Sequence, residues 1–176
     1  PRLPLEVCEE IIDCVAARLD ALWSPEKDPW RQTLLSCGFV CRAWHRYALF
    51  YLRQCVKLRD RQQVVSLAKS LRDEPHFRRA VKFVEIAGAQ RGSLHPIPHL
   101  GTFASMLAGK LPNANTVRLG NAEWTIGSIA PISVRHLALF PLTTLDLHNV
   151  CFPTISQVAQ LISALPGLHV VKCKKV

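Results

Sequence analysis

Along the first fifty residues the apolar positions step by threes and fours, and thereafter they alternate in short triplets. Val7, Ile11, Ile12, Val15, Leu19 and Leu22 keep one side apolar from Leu3-Pro4 as far as Trp23, which predicts an amphipathic first helix. Pro4 suits its first turn, and Glu6, Glu9 and Glu10 stand at the favourable end of the helix dipole. Ser24 to Pro29 reads as a loop, with Asp28-Pro29 as a helix-start signal. A second helix then runs to about Gly38, which breaks it from a third carrying Val40, Cys41, Trp44 and Ala48.

From residue 55 a repeat begins. Five triplets place an apolar residue on each side of a charge: Val56-Lys57-Leu58, Val84-Glu85-Ile86, Val117-Arg118-Leu119, Leu145-Asp146-Leu147 and Val171-Lys172-Cys173. Helical runs separate them at Val64–Leu71, Phe103–Leu111 and Ile155–Leu165, whereas Pro131 and Pro141 limit any helix in 124–140. One strand and one crossover per unit of about thirty residues is the signature of a solenoid. Leu111-Pro112, Phe140-Pro141 and Leu165-Pro166 supply the turns that stop each helix.

Side chains alternate between the faces of a strand, so the flanking apolar residues turn inward and the charges outward. Stacked in parallel, the outward row reads Lys57, Glu85, Arg118, Asp146, Lys172, with alternating signs. Opposite charges on neighbouring strands stabilise the stack. The same row, with Phe83, Thr116, Thr144 and His148 beside it, equally suits the floor of a concave binding surface. The expected fold is α/β: a three-helix domain over 1–54, followed over 55–176 by an irregular solenoid with a parallel sheet of about five strands.

Charge changes this picture only locally. Residues 1–28 hold seven acidic groups against three basic ones, while 29–82 hold twelve basic against three acidic. Such a belt suits either a solvated helix face or a nucleic-acid platform using Arg42, Arg46, Arg53, Lys57, Arg59 and Arg61 with Trp44 and Tyr47 interleaved. No apolar run approaches the roughly 18 residues that cross a bilayer. The seven cysteines form no Cys-x-x-Cys pair and read as reduced core residues of a cytoplasmic or nuclear protein.

Cys37, Cys41 and His45 are spaced four apart, but a fourth metal ligand is not apparent. His95-Pro96-Ile97-Pro98-His99 reads as a surface linker. With no phosphate-binding glycine loop and no nucleophile set beside a base, the reading is a non-enzyme that needs no cofactor or metal. The chain opens on Pro1 and closes just after the fifth triplet. The expectation is a piece of a longer repeat protein, poorly soluble through its open sheet edge.

Leu3-Pro4-x-Glu6-Val7 with Ile11-Ile12, then Leu34-Leu35 and Val40-Cys41-Arg42-Ala43-Trp44, resembles the F-box over residues 1–54. The triplets behind it are similar to the leucine-rich repeats of F-box proteins. Only Leu142 to Asn149 approaches the Leu-x-x-Leu-x-Leu-x-x-Asn pattern, and the loop from Trp23 to Trp30 is longer than the family's usual turn. The resemblance implies a substrate-receptor subunit of a Skp–cullin–F-box ubiquitin ligase. Leu3, Pro4, Val7, Ile11, Leu34, Leu35, Val40, Cys41 and Trp44 would meet the Skp adaptor, and through it cullin. Lys57, Glu85, Arg118, Asp146, His148 and Lys172 would meet an unidentified protein substrate. The alternatives are the nucleic-acid platform and a repeat scaffold without ligase activity.

Overall fold

The computed structural model describes residues 4–19, 29–88, 93–125 and 131–176. It divides into two compact units, Pro1–Cys55 and Val56–Val176. Among the described residues there are seven α-helices and a parallel sheet of six strands, a mixed α/β architecture.

The first unit is helical: α1 (Leu5–Ala16), α2 (Pro29–Cys37) and α3 (Arg42–Leu52), each packed against the other two. Its core is Ile12 from α1, Leu34 and Cys37 from α2, and Ala48 and Leu52 from α3, with Val15, Leu19, Trp44 and Tyr47 against them. α1 stops at Ala16, short of the expected Trp23. The Arg18 and Leu19 amides bond to the carbonyls of Val15 and Ala16, and this tightened turn ends the helix while leaving Leu19 on the core. Leu22, Trp23 and Asp28 lie outside the described residues. Pro29 opens α2, and Gly38 to Val40 form the turn between α2 and α3. Val40 and Cys41 therefore precede α3 rather than ride on it. Polar ties join the helices at the rim, where the Tyr51 hydroxyl donates to Asp13 Oδ1 at 2.8 Å and Arg31 Nη1 donates to the Leu52 carbonyl at 3.3 Å.

The second unit carries β1 (Cys55–Leu58), β2 (Phe83–Ala87), β3 (His95–Pro96), β4 (Thr116–Glu123), β5 (Thr144–Cys151) and β6 (Val170–Lys174). The sheet order is β1-β2-β4-β5-β6, with β3 joined to the far end of β4. The crossovers contain α4 (Arg61–Asp73), α5 (His99–Leu107), α6 (Pro131–Leu137) and α7 (Ile155–Ser163). Asp60 caps α4 by accepting from the Gln63 amide. Pro131 limits α6 by beginning it, where its missing N–H costs nothing, and the helix stops short of Pro141.

The triplets lie on strands, and the flanks of β2, β4 and β5 are core: Val84, Ile86, Val117, Leu119, Leu145 and Leu147 are buried, as are Val64 and Leu71 of α4, Phe103 and Leu107 of α5, and Leu161 of α7, whereas Val171 and Cys173 of β6 are exposed. Phe103 and Phe140 stack with centroids 5.1 Å apart. Register is exact across the stack: Glu85 aligns with Arg118, Arg118 with Asp146, and Asp146 with Lys172.

Two backbone features recur with the triplets. Three residues before Glu85, Arg118 and Asp146, one carbonyl accepts two amides of the next unit. Lys82 takes Asn115 and Thr116, Asn115 takes Thr143 and Thr144, and Thr143 takes His169 and Val170. Three residues after Arg118, Asp146 and Lys172 the chain bends in a left-handed conformation at Asn121, Asn149 and Lys175, with φ of 47°, 55° and 56°. At Gly88 the Asn121 carbonyl occupies the place of a Cβ. Asn149 donates to Asn121 Oδ1 at 2.8 Å, linking two of these bends across strands.

Candidate functional site

Most of the first unit's expected docking residues lie outside its core. Pro4 is exposed at the start of α1. Val7 and Ile11, one turn apart, face outward on that helix, as does Leu35 on α2. In the turn between α2 and α3, Val40 is 64% exposed and Phe39 86%. Cys41 is exposed at the N-cap of α3. Trp44 is half-buried and packs on the core. Leu3 lies outside the described residues.

Leu34 is corrected: it is fully buried and belongs to the core of the helical unit, where its neighbour Leu35 takes the outward place. Consecutive helix residues point about 100° apart, so the Leu34-Leu35 pair divides between inside and outside. Phe39 is a docking candidate that periodicity missed, because it sits in a turn and matches no helical face. The available signal was an apolar pair straight after a glycine, where a soluble turn ordinarily places polar residues.

Phe39, Cys41, Arg42, His45 and Arg46 surround an open depression of about 570 Å³ beside Gly38. His45 Nδ1 is 3.0 Å from the Gly38 carbonyl, which ties the start of α3 to the turn. A second hollow of about 110 Å³, the size of one aliphatic side chain, lies between α1 and α3 against Ile12, Trp44 and Tyr47. Apolar floor with a cationic rim suits a partner surface that is apolar at its centre and acidic around it. Both tyrosines of this unit titrate high. Burial pushes Tyr51 up to about 12, reinforced by its hydrogen bond to Asp13 and that carboxylate's charge, and burial raises Tyr47 as well.

On the sheet unit, the expected outward row is aligned but mostly self-satisfied. Lys57 pairs with Glu85, and Arg118 donates to Asp146 Oδ2 from Nε at 2.9 Å and from Nη2 at 2.6 Å. The Arg118 guanidinium also lies over the Phe83 ring, 5.3 Å from its centroid. Glu85 and Asp146 are buried by these contacts rather than presented to solvent. Gly120 leaves the space into which Glu85 Oε1 leans. His148 is half-buried beside Gly120, and Lys172 and Lys174 on β6 are exposed.

The cysteine and histidine expectations are corrected. Only Cys37 is a core cysteine; Cys14, Cys41, Cys151 and Cys173 are exposed, and all seven are free thiols. Among the described residues no group of three or more His, Cys, Asp or Glu side chains could hold a metal. The His95–His99 segment is an anchor rather than a surface linker. His95-Pro96 forms β3, Ile97 is fully buried, and His99 is buried at the start of α5. Desolvation lowers the pKa of His99, opposed by the Leu58 and Ala87 backbones and by Asp60. Of the residues of the basic belt, Lys57 is committed to Glu85, and the interleaved Trp44 packs on the core of the helical unit. No described helix is long and apolar enough to cross a membrane.

These features define a class: a two-unit α/β protein with an open apolar surface on its helical unit and a strand repeat behind it. No protein-family model matches the chain, and no curated protein matches it.

Proposed function

We propose that this chain is an F-box-type substrate receptor of a Skp–cullin–F-box ubiquitin ligase. The observation that carries the reading is the helical unit's division of its apolar residues. Ile12, Leu34, Cys37, Ala48 and Leu52 fill the core while Val7, Ile11, Leu35, Phe39 and Val40 remain outside. A unit of this size buries only about 60% of its unfolded surface, so a further apolar face gains most by being covered by another protein. Pro4 and Glu6 of the opening fall at the start of α1, and the Cys41-Arg42-x-Trp44 close at the start of α3.

What supports the leucine-rich-repeat reading of the second unit is recurrence: a shared carbonyl before the central charges of β2, β4 and β5, and a left-handed residue after those of β4, β5 and β6. The receptor carries out no bond chemistry itself. It acts by tethering, which raises the effective concentration of a bound target near the ubiquitin-charged enzyme. Its place of action is the cytoplasm or nucleus.

Co-expression with the Skp adaptor tests the reading: the wild-type chain is retained with the adaptor and Val40→Asp is lost. A wild-type chain that ignores the adaptor at micromolar concentration defeats it. Ubiquitination of a captured target in a reconstituted ligase then separates a receptor from a scaffold without ligase activity.

A further inference from the structure

The turns that lead into β2 and β4 meet at one end of the parallel sheet. The Lys82 carbonyl takes the amides of both Asn115 and Thr116, and the Arg79 carbonyl takes Asn113 Nδ2 at 2.7 Å. Arg78 Nε donates to the Leu71 carbonyl at 3.0 Å, which folds the segment after α4 back onto the end of that helix. This end of the sheet therefore gathers Lys69 and Arg72 from the last turns of α4, Arg79 and Lys82 before β2, and Lys110 before β4, all exposed. The carboxylates in these turns are Asp73 and Glu74, and Glu74 Oε2 lies 3.9 Å from His76. The repeat does not need the cations. The positions equivalent to Lys82 are Asn115, Thr143 and His169, and residues 138–144 and 164–170 hold no Lys, Arg, Asp or Glu. The turns into β5 and β6 form the same backbone bonds without them.

We propose that this end of the sheet unit binds the sugar–phosphate backbone of a nucleic-acid duplex without regard to sequence. Lysine and arginine there neutralise phosphates and release their counterions, which supplies the affinity. A docking surface for a protein has an apolar centre with aromatic anchors. No large apolar side chain is exposed in 69–82 or 107–115, where Phe77, Ala80, Val81, Leu111 and Ala114 are all buried. Unpaired bases need aromatic platforms to stack on. The one exposed aromatic ring in these turns, His76, lies against Phe77 with centroids 4.0 Å apart. The amides suited to reading a base edge are engaged, Asn113 by the Arg79 carbonyl and Asn115 Oδ1 by the Thr116 hydroxyl at 3.0 Å. What remains is cationic reach alone, which fits a regular double row of phosphates.

This inference goes beyond the receptor reading and stands without it, since its test uses no adaptor. Fluorescence polarisation of the whole chain with labelled DNA duplexes of about 20 base pairs provides that test. Two unrelated sequences should bind equally, at micromolar concentration in low salt. Log Kd should rise with log salt at a slope of about 3, as for neutralising about three or four phosphates. Lys82→Glu with Lys110→Glu should weaken binding at least about tenfold. Lys172→Glu with Lys174→Glu, the same change of charge on β6, should weaken it less than about twofold, which separates this surface from the net charge of +9. Where charge reversal unsettles the fold, Lys82→Gln with Lys110→Gln makes the same comparison and should lower the salt slope by about 2. Polyglutamate should compete poorly with the duplex. Absent binding in low salt, equal losses in the two reversed pairs, or polyglutamate competing as well as DNA overturns the proposal, and the last result would assign the surface to an acidic protein.

Discussion

Replacing Asp146 by alanine isolates the energetics of the outward row. The Arg118 and Asp146 side chains are 13% and 10% exposed, and both hydrogen bonds from Arg118 end on the one carboxylate oxygen. Removing one partner of such a pair leaves a desolvated charge and costs about 3–5 kcal/mol. Here Arg118 is also aligned with Glu85, already held by Lys57, and turning toward it recovers part of the loss. The expected cost is therefore at the lower end, about 3 kcal/mol. Arg118→Met with Asp146→Ala removes both charges together and should come within about 1 kcal/mol of wild type. Hydrogen exchange of the β4 and β5 amides reads the sheet unit by itself, and 3 kcal/mol appears there as roughly a hundredfold faster exchange. A single variant costing under 1 kcal/mol would show the pair to be screened by water. A double variant as damaged as the single would show that packing over Phe83, rather than charge pairing, sets the cost.

Four further perturbations probe other features. Gly88→Ala puts a methyl against the Asn121 carbonyl and should lower the sheet unit's melting temperature, whereas Asn149→Val forces a β-branched residue into a left-handed bend and should cost about 1–2 kcal/mol in urea unfolding. Tyr51, raised in the fold to about 12, contributes stability that is present below its ordinary value near 10 and is lost as pH rises through 12. Phenolate absorbance should show that late step, and Asp13→Asn should bring it earlier. His99 has a lowered pKa, so its contribution is present above about 6.5 and lost as pH falls toward the folded value. Thermal melts of His99→Gln should lose that acid-side slope while wild type keeps it.

Five of the six strands were legible because each follows a period of two with a charge at its centre, and burial of Val84, Ile86, Val117 and Leu119 follows directly from it, whereas β3 at His95–Pro96 carries no such pattern. Their order in the sheet followed from the repeat itself. Helix ends were less visible: α1 closes at Ala16 by a backbone turn that no glycine or proline announces. The sign pattern of the row was readable, but not which neighbours pair. Arg118 lies between Glu85 and Asp146 in sequence-equivalent positions, and only side-chain geometry sends it to Asp146. The bends at Asn121, Asn149 and Lys175 share a spacing with the triplets, yet two different residue types occupy them. At the docking face, Leu34 and Leu35 are chemically alike, and only the helix phase relative to α1 and α3 separates core from surface.

The claim on which the account turns is that the helical unit's outer apolar residues await another subunit. Calorimetric titration of the purified chain with the Skp adaptor tests it most directly. Wild type should form a one-to-one complex at micromolar concentration or tighter. Val40→Asp should weaken it by at least about thirtyfold, as loss of an interface hot spot does, with α1 and α3 exchange unchanged. No heat from the wild type, or equal affinity for wild type and Val40→Asp, would contradict it.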